Sequence, residues 1–459
     1  MSSSVLNLKP EEVDSFEKRG KYTISIMGCG QIGVFHAYLF AEAGFKVICV
    51  DADQTIVNHL ARGKAPFLKH EIELKLGNHV KTGRLNATND VKRAVSQSDV
   101  VAITIPVKVD EKKKADYSDI ENTCKLVGSS LLRGSLVIVV SIMGIGVTEG
   151  LVNEILENTS GFKVGVDFGL VYSPIRTLDG ETLERFPDHK RIVAARNKNS
   201  SNSASAILGT IAKKGIIETE NVKAAEAAAL FEMLQQDINV ALANELALFC
   251  EKAGADYLKA RKLLDTDAYC ALSLPTLAGG SIKGEPYLLL EEAENLGVRL
   301  RISTIAIEIN EEIVRHVVNL ARDALRNCGK TLRRAKISLL GLSQMPNTKS
   351  SIKKAVKALA KMLEAKGAKV SVYDPYFPDN ELTEIPRLFK KSLVEVLEGV
   401  DCIILLTGHE QFKRLSLKKL KVMMKMPAAI VDLEGIVEPD KVEREGFVYR
   451  GLGRGVWTK

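Results

Sequence analysis

The sequence predicts an α/β protein with two Rossmann-like, doubly wound domains joined by an all-helical central segment. Two alternations of strand and helix support this prediction, one in the N-terminal part of the chain and one that begins at Lys336. Between them, after about Asn199, the chain changes to long helical patterns. We therefore expect an N-terminal extension at residues 1–21, a first Rossmann domain at 22–200, a helical central domain at 201–328 and a second Rossmann-like domain at 329–459.

The first alternation starts with the β-rich run Thr23–Met27, which leads into the turn Gly28-Cys29-Gly30-Gln31-Ile32-Gly33. An apolar helical pattern follows up to Ala43, and Lys46–Val50 is a second buried strand that Asp51 closes. Strand, glycine turn, helix, strand and acid in this order form one βαβ unit. Further strands are predicted at Val100–Ile105, Leu136–Val140, Lys163–Val166 and Arg191–Ala195.

The middle of the chain predicts helices only. Ala224–Lys252 contains neither Pro nor Gly, and Val298–Asn327 has a second long helical pattern. The C-terminal third then repeats the strand and helix alternation of the N-terminal part without its glycine fingerprint. Asp374 follows the second strand of this part, as Asp51 follows the second strand of the N-terminal part. Its predicted elements are strands at Ile337–Leu340, Val370–Tyr373, Asp401–Thr407 and Ala428–Asp432 and a helix at Lys353–Ala365.

Composition and charge argue against several classes of protein. The 459 residues are 46% hydrophobic and carry a formal net charge of +7, which favours anionic small ligands at least as much as nucleic acid. The seven cysteines include no Cys-x-x-Cys pair, so we expect neither a disulfide framework nor a metal site, and we expect a reducing cytoplasm. Met1–Lys21 lacks a signal peptide's apolar stretch, and the apolar runs are too short to cross a membrane. The basic run Lys413–Lys425 predicts a solvated helix face and no nucleic-acid partner.

The glycine turn predicts a dinucleotide site. Gly28 allows the tight turn, Gly30 lets the backbone approach a pyrophosphate, and Gly33 lets helix and strand pack closely. Asp51 would accept hydrogen bonds from a ribose diol and repel a 2′-phosphate, which favours NAD over NADP. The alternative is an ordinary βα turn that binds nothing. His36, two turns into the helix, is interpreted as a partly exposed residue and not as a catalytic base. The residues assigned to the cofactor from this turn are Gly28, Gly30, Gln31, Ile32, Gly33 and Asp51.

Further motifs follow in a fixed order along the chain. They are Ala102-Ile103-Thr104-Ile105-Pro106, Ser173-Pro174-Ile175-Arg176 with Gly180, Asp237–Glu245, Gly279-Gly280-Ser281 with Glu285-Pro286-Tyr287-Leu288, Tyr373-Asp374-Pro375-Tyr376 and Tyr449–Gly455. In this order they resemble the UDP-glucose/GDP-mannose dehydrogenase family, and within it most closely the UDP-N-acetylmannosamine dehydrogenase branch. The resemblance runs from about Tyr22 to the C-terminus.

The resemblance implies an N-terminal NAD domain, a helical middle that forms a dimer core, and a C-terminal domain that binds the nucleotide of a UDP-sugar. It implies oxidation of a sugar C6 alcohol to a carboxylate, with NAD accepting two successive hydrides. It adds Pro106 and Ser141 to the cofactor site. The substrate-binding residues that it implies are Arg176, Asn239, Asn244, Gly279, Gly280, Ser281 and Tyr287.

The residues that this reaction needs are replaced in the present sequence. A thiolate must trap the aldehyde, a lysine and an asparagine must stabilise the alkoxide, and a glutamate must help activate water. These positions hold Ile282 for the cysteine, Ala229 for the lysine, Met233 for the asparagine and Ile175 for the glutamate, and an expected threonine is Ile142. We therefore assign no catalytic residue.

Three hypotheses remain open from the sequence. The chain is a dehydrogenase-like protein with an altered site, an inactive partner of an active relative, or a dehydrogenase that transfers a single hydride without covalent catalysis. Cys270 and Lys283 lie close enough in sequence to substitute for the lost groups, although a buried cysteine and an exposed loop lysine are the simpler interpretations. Pro346–Ser351 lacks the Asp and Arg of the family, which puts recognition of the nucleotide sugar in question as well.

Overall fold

The computed structural model describes residues 4–65, 68, 70–110, 112–175, 187–264, 272–277, 284–347, 354–377 and 388–457. The chain divides into two compact units. Unit 1 comprises Met1–Leu234 and Lys283–Arg299, and unit 2 comprises Gln235–Ile282 and Leu300–Lys459.

The secondary structure is that of an α/β protein. The strands are β1 (Thr23–Met27), β2 (Lys46–Val50), β3 (Leu85–Thr88), β4 (Val100–Ile103), β5 (Lys108–Val109), β6 (Ala115–Asp116), β7 (Leu136–Val139), β8 (Gly169–Tyr172), β9 (Arg191–Ala194), β10 (Ile216–Thr219), β11 (Lys336–Leu340), β12 (Lys369–Tyr373), β13 (Cys402–Leu405), β14 (Ala429–Asp432) and β15 (Val448–Gly451). The helices are α1 (Phe16–Arg19), α2 (Gln31–Ala43), α3 (Gln54–Ala61), α4 (His70–Lys81), α5 (Val91–Val95), α6 (Ser118–Gly128), α7 (Asn153–Ser160), α8 (Lys198–Gly209), α9 (Val222–Ala253), α10 (Tyr257–Leu264), α11 (Glu285–Asn295), α12 (Arg301–Asn327), α13 (Lys354–Ala365), α14 (Leu393–Leu397), α15 (Glu410–Lys413), α16 (Leu417–Met423) and α17 (Pro439–Arg444).

Unit 1 is built on an eight-stranded sheet in the order β10-β9-β8-β7-β4-β1-β2-β3. Its strand pairs are parallel except β8 with β9, and β1 lies between β4 and β2, so that Ile24 pairs with both Val100 and Val47. All residues of β4 and β7 are buried, as expected for strands covered by helices on both faces. The first strand therefore ends where the direction of winding changes, which is where ligands bind in open α/β sheets.

Unit 2 is built on a five-stranded parallel sheet in the order β12-β11-β13-β14-β15. The long helix α12 packs its apolar face, which includes Val317, Ala321 and Ala324, against a core that contains Ile337 of β11. Between β10 and β11 the described residues contain helices and no strand. The predicted fold class, two Rossmann-like domains with a helical central segment, is confirmed.

Two local predictions were wrong. Lys163–Val166 is not a strand, because Gly165 takes a left-handed φ of 78° and turns the chain, and the strand begins later at Gly169. The stretch predicted as helical after residue 200 contains β10, which starts directly after Gly215, another glycine of positive φ, and pairs with β9. Its first two residues are both isoleucine, a β-branched residue that favours strands.

Candidate functional site

The glycine turn at the end of β1 has the geometry that a dinucleotide requires. Gly28 has a φ of 93°, and a Cβ there would lie 2.9 Å from Ile105 Cγ1. A Cβ on Gly33 would lie 1.9 Å from the carbonyl oxygen of Gly28, so only glycine lets the helix pack this closely on the turn. A Cβ on Gly30 would meet no atom within 4 Å. The turn therefore leaves open space at the residue where the sequence predicts the pyrophosphate.

Helix α2 begins immediately after this turn, with Gly30 as its N-cap and the half-buried Gln31 and Ile32 in its first turn. The first N–H groups of a helix have no partner inside the helix, and the helix dipole adds positive potential there. An open backbone cradle at a helix N-terminus fits the pyrophosphate of NAD.

Asp51 lies at the end of β2 and is half-buried. Its Oδ2 accepts a hydrogen bond from the Cys29 amide at 2.6 Å, and its Oδ1 accepts one from the Asp53 amide at 2.9 Å. Each carboxylate oxygen has two lone pairs, so the group retains acceptor capacity for ribose hydroxyls. The contact with Cys29 also fixes the carboxylate beside the glycine turn.

Pro106 and Ser141 follow β4 and β7, on the other side of β1 from Asp51. Pro106 is exposed, whereas Ser141 is buried and its Oγ donates to the carbonyl of Ile103 at 3.3 Å. Thr104, which belongs to the Ala102–Pro106 motif but was assigned no role from the sequence, donates from Oγ1 to the carbonyl of Gly28 at 2.6 Å and so joins the ends of β4 and β1.

A buried carboxylate that the sequence did not single out holds the loop after Ser141. Glu226 of α9 is fully buried and accepts hydrogen bonds from the amides of Gly146 at 2.6 Å and Thr148 at 2.9 Å. Burial raises the pKa of this carboxyl, against the opposing effect of the Thr148 hydrogen bond. A single acid in an alanine-rich, apolar stretch of helix is the sequence feature that could have indicated it.

His36 is fully buried, so the prediction that it is partly exposed was wrong. Its Nδ1 donates to the carbonyl of Ile32 at 2.9 Å, and its Nε2 accepts from Arg191 Nη1 at 2.9 Å. Arg191 also donates from Nε to Ser173 Oγ at 2.8 Å, which ties the Ser173-Pro174 segment to α2. Burial, reinforced by the Arg191 cation, lowers the pKa of His36 to about 3. Burial also lowers the pKa of Arg191 to about 9.

The four described positions where the family has polar groups are apolar; three of them are buried, whereas Ile142 is half-buried. Ala229, Met233 and Ile175 are exposed by 2%, 8% and 5%. Six of the seven cysteines lie within the described ranges, and all six are buried. Cys270, Arg176 and the predicted substrate loop from Gly279 through Gly280, Ser281 and Ile282 to Lys283 lie outside the described residues.

The remaining predicted substrate residues lie in different surroundings. Asn239 is exposed. Asn244 is fully buried, donates to Asn310 Oδ1 at 3.0 Å and accepts from the Thr276 amide at 2.9 Å, so its side chain supports the chain just before the predicted substrate loop. Tyr287 lies in unit 1 at the start of α11, with the ammonium of Lys113 at 5.0 Å from the centre of its ring.

The second Rossmann-like domain has its own acid at the end of its second strand. Asp374 is 1% exposed, and its Oδ2 accepts from the amides of Leu342 and Ser343 at 2.7 and 2.9 Å. The same oxygen accepts from Nε2 of the buried His409 at 3.1 Å, and Oδ1 accepts from the Tyr376 amide. Burial alone raises the pKa of Asp374, but the bonds from His409 and the amides outweigh it and hold that pKa below its usual range.

Among the described residues, no three His, Cys, Asp or Glu side chains form a group that could hold a metal ion. The same part of the chain contains no helix that is both long and apolar enough to span a membrane.

The fold and the glycine turn define a dinucleotide-binding protein with a second Rossmann-like domain, and comparison with known proteins identifies its family. Residues 22–212 match the NAD binding domain of the UDP-glucose/GDP-mannose dehydrogenase family, residues 223–312 match its central domain, and residues 338–439 match its UDP binding domain. The chain belongs to this family, and its cofactor is NAD.

Similar proteins include the UDP-N-acetyl-D-mannosamine dehydrogenase of Pyrococcus horikoshii, which is 29% identical over 94% of this chain and 99% of its own length. The UDP-glucose 6-dehydrogenase of Rhizobium meliloti is 26% identical over 94% of this chain and 99% of its own. The solved structure of the P. horikoshii UDP-D-ManNAc dehydrogenase superposes with a TM-score of 0.83 at 28% identity, covering 95% of this chain and 100% of that one.

Proposed function

We propose that this chain binds NAD and a UDP-sugar as its family does but does not carry out the thiol-dependent, two-hydride oxidation of the sugar. The observation that supports this proposal is the burial of Ala229, Met233 and Ile175 at positions where that reaction needs a lysine, an asparagine and a glutamate. An alkoxide that develops beside such side chains has no cation or hydrogen-bond donor from them to stabilise it.

The buried acid on α9 does not replace these groups. Glu226 lies one turn before Ala229, and its two oxygens are both bound to backbone amides of another segment. A carboxylate also repels a developing alkoxide instead of stabilising it. Cys270 and Lys283 remain the candidates for a rearranged site.

Two other functions stay open. An inactive chain that binds NAD or a UDP-sugar could regulate an active relative by pairing with it. A single-hydride dehydrogenase would need no thiol, but the loss of the lysine position counts against it, because related hydroxyacid dehydrogenases also use a lysine there.

The test is incubation of the purified protein with NAD and a panel of UDP-sugars while NADH absorbance is followed. We expect NAD binding by calorimetry and no formation of two NADH per sugar. Two NADH per sugar would refute the proposal, one NADH would favour the single-hydride reaction, and none would favour the inactive partner. Asp51→Ala is the control, because any NADH formed at this site should fall with it.

The assignments for the other parts of the chain are proposals of the same kind. We assign cofactor binding to residues 22–200, helix-mediated association to 201–328 and binding of the UDP moiety to 329–459. We also propose that the protein works in the cytoplasm, since the described cysteines are unpaired.

We further propose that the helical segment forms a dimer, with itself or with a relative. Support comes from large apolar side chains exposed on two helices of unit 2: Leu242 and Phe249 on α9, and Ile302 and Ile305 on α12. Phe249 is 67% exposed, and Phe249→Glu should shift the mass measured by light scattering from dimer to monomer. Val422→Glu, which changes an even more exposed apolar residue on α16, is the matched control and should leave the mass unchanged. A wild-type monomer would contradict self-association.

A further inference from the structure

We propose that Glu226 is a positioning residue that fixes the loop of residues 140–148 over the nicotinamide half of NAD. The inference rests on the proposed role of Ser141 and Pro106 in cofactor binding. Glu226 is fully buried, and its two oxygens bind two backbone amides that are two residues apart, those of Gly146 and Thr148. A buried carboxylate is costly unless it is hydrogen-bonded, and bonds to an ionised acceptor are stronger than neutral ones.

At its start the loop is also held by the Val140 amide, which donates to the carbonyl of Ile103 at 2.8 Å. Two longer bonds from neutral donors follow. Ser141 Oγ donates to the carbonyl of Ile103 at 3.3 Å, and the Gly144 amide donates to the hydroxyl of Tyr117 at 3.2 Å. Gly146 has a left-handed φ of 84°. Glycine adopts positive and negative φ about equally well, so its own backbone preference does not fix this conformation. Glu226 therefore supplies the charged contact at the point where the loop backbone is least restricted.

The order of the strands indicates which half of the cofactor this loop meets. The pyrophosphate site is the turn after β1, and Asp51, which would hold the adenosine ribose, ends β2 on one side of β1. The other half of an extended dinucleotide must then cross the ends of β4 and β7 on the other side. The loop that Glu226 holds begins directly after β7.

Glu226 would act through the loop amides and not by touching the cofactor. Its removal should therefore weaken contacts to the nicotinamide half and leave contacts to the ADP-ribose half unchanged. A general loss of packing would instead weaken the contacts to both halves of the cofactor. Comparing the affinities for NAD and for ADP-ribose therefore separates a positioning role from a merely structural one.

The experiment compares wild type, Glu226→Gln and Glu220→Gln by calorimetry with NAD and with ADP-ribose, and by hydrogen exchange of the loop amides without ligand. Glu220, exposed and located just before α9, is the matched control for loss of one negative charge. For Glu226→Gln we expect an NAD Kd about tenfold higher, equivalent to about 1.4 kcal/mol. We expect an unchanged ADP-ribose Kd and faster exchange in the loop. Glu220→Gln should match wild type in its NAD Kd, its ADP-ribose Kd and the exchange rates of the loop amides.

Several outcomes would overturn the inference. These are equal loss of NAD and ADP-ribose affinity, unchanged NAD affinity, or unchanged loop exchange in a folded Glu226→Gln protein. If that variant does not fold, Glu226→Asp takes its place, because it keeps the charge but is one carbon too short to reach both amides. We again expect a higher Kd for NAD and an unchanged Kd for ADP-ribose. If wild type binds neither ligand, the proposed function fails, and hydrogen exchange alone decides whether Glu226 holds the loop.

Discussion

Replacement of Gly33 by alanine should destabilise the N-terminal domain, because the added methyl group has no space. Its Cβ would lie 1.9 Å from the Gly28 carbonyl oxygen and 2.7 Å from Thr104 Oγ1, whereas real Cβ atoms essentially never come closer than 3.0 Å. The nearest atom belongs to the backbone of the turn, so a change of rotamer cannot relieve the clash. Helix α2 must move by at least about 1 Å, and it carries buried residues such as Phe35 and Phe40 with it.

The size of the effect follows from this displacement. Overpacking of a close-packed interior costs about 1–3 kcal/mol, and a backbone clash places Gly33→Ala near the upper end, at about 3 kcal/mol. For a domain of this size, 1 kcal/mol corresponds to about 2–4 °C in Tm. We therefore expect the first transition in a thermal scan followed by circular dichroism to fall by about 6–12 °C.

Gly30→Ala is the matched control. Its methyl group would meet no atom within 4 Å, its φ of −68° suits any residue, and alanine at an N-cap costs about 1 kcal/mol or less relative to glycine. This variant should keep its Tm within a few degrees yet lose NAD affinity in calorimetry, because the methyl group fills the space of the pyrophosphate. An unchanged Tm for Gly33→Ala, or unchanged NAD affinity for Gly30→Ala, would refute the reasoning.

Two further predictions concern other residues of unit 1. Asp51→Ala should weaken NAD binding in calorimetry by about 1–3 kcal/mol, since it removes a ribose acceptor and the contact with the Cys29 amide; equal affinity would exclude that role. His36 has a folded-state pKa of about 3 against an ordinary value of 6.5, so between these values the unfolded chain binds a proton that the folded chain does not. The free energy of unfolding measured in urea should thus fall as pH drops through this window, by up to about 1.4 kcal/mol per pH unit. His36→Gln should reduce this pH dependence. An equally steep pH dependence in the variant would show that other groups cause it.

Local spacing predicted the parts of the site that depend on neighbours in sequence. Gly28, Gly30, Gly33 and Asp51 lie within one βαβ unit, so the order of strand, turn and acid was enough to predict the glycine turn and the acid that lies beside it. The helices α9 and α12 were predicted in the same way, from long periodic patterns.

Contacts between distant parts of the chain could not be predicted from the sequence. His36 and Arg191 are 155 residues apart, and Glu226 is 80 residues from Gly146, so no local pattern could pair them. The error at Lys163–Val166 has a local cause, because β-branched residues alternate there but the left-handed Gly165 makes the chain turn.

The carboxylate of Asp374 has a consequence for how many cofactor molecules one chain takes up. Asp51 stays partly accessible beside an open turn, but Asp374 is sealed behind His409 and already accepts three N–H bonds from amides and one from imidazole. Because Asp374 is 1% exposed, a second ribose diol could not reach its carboxylate. Calorimetric titration should therefore reach saturation at a molar ratio of about one NAD per chain, although the Rossmann architecture occurs twice.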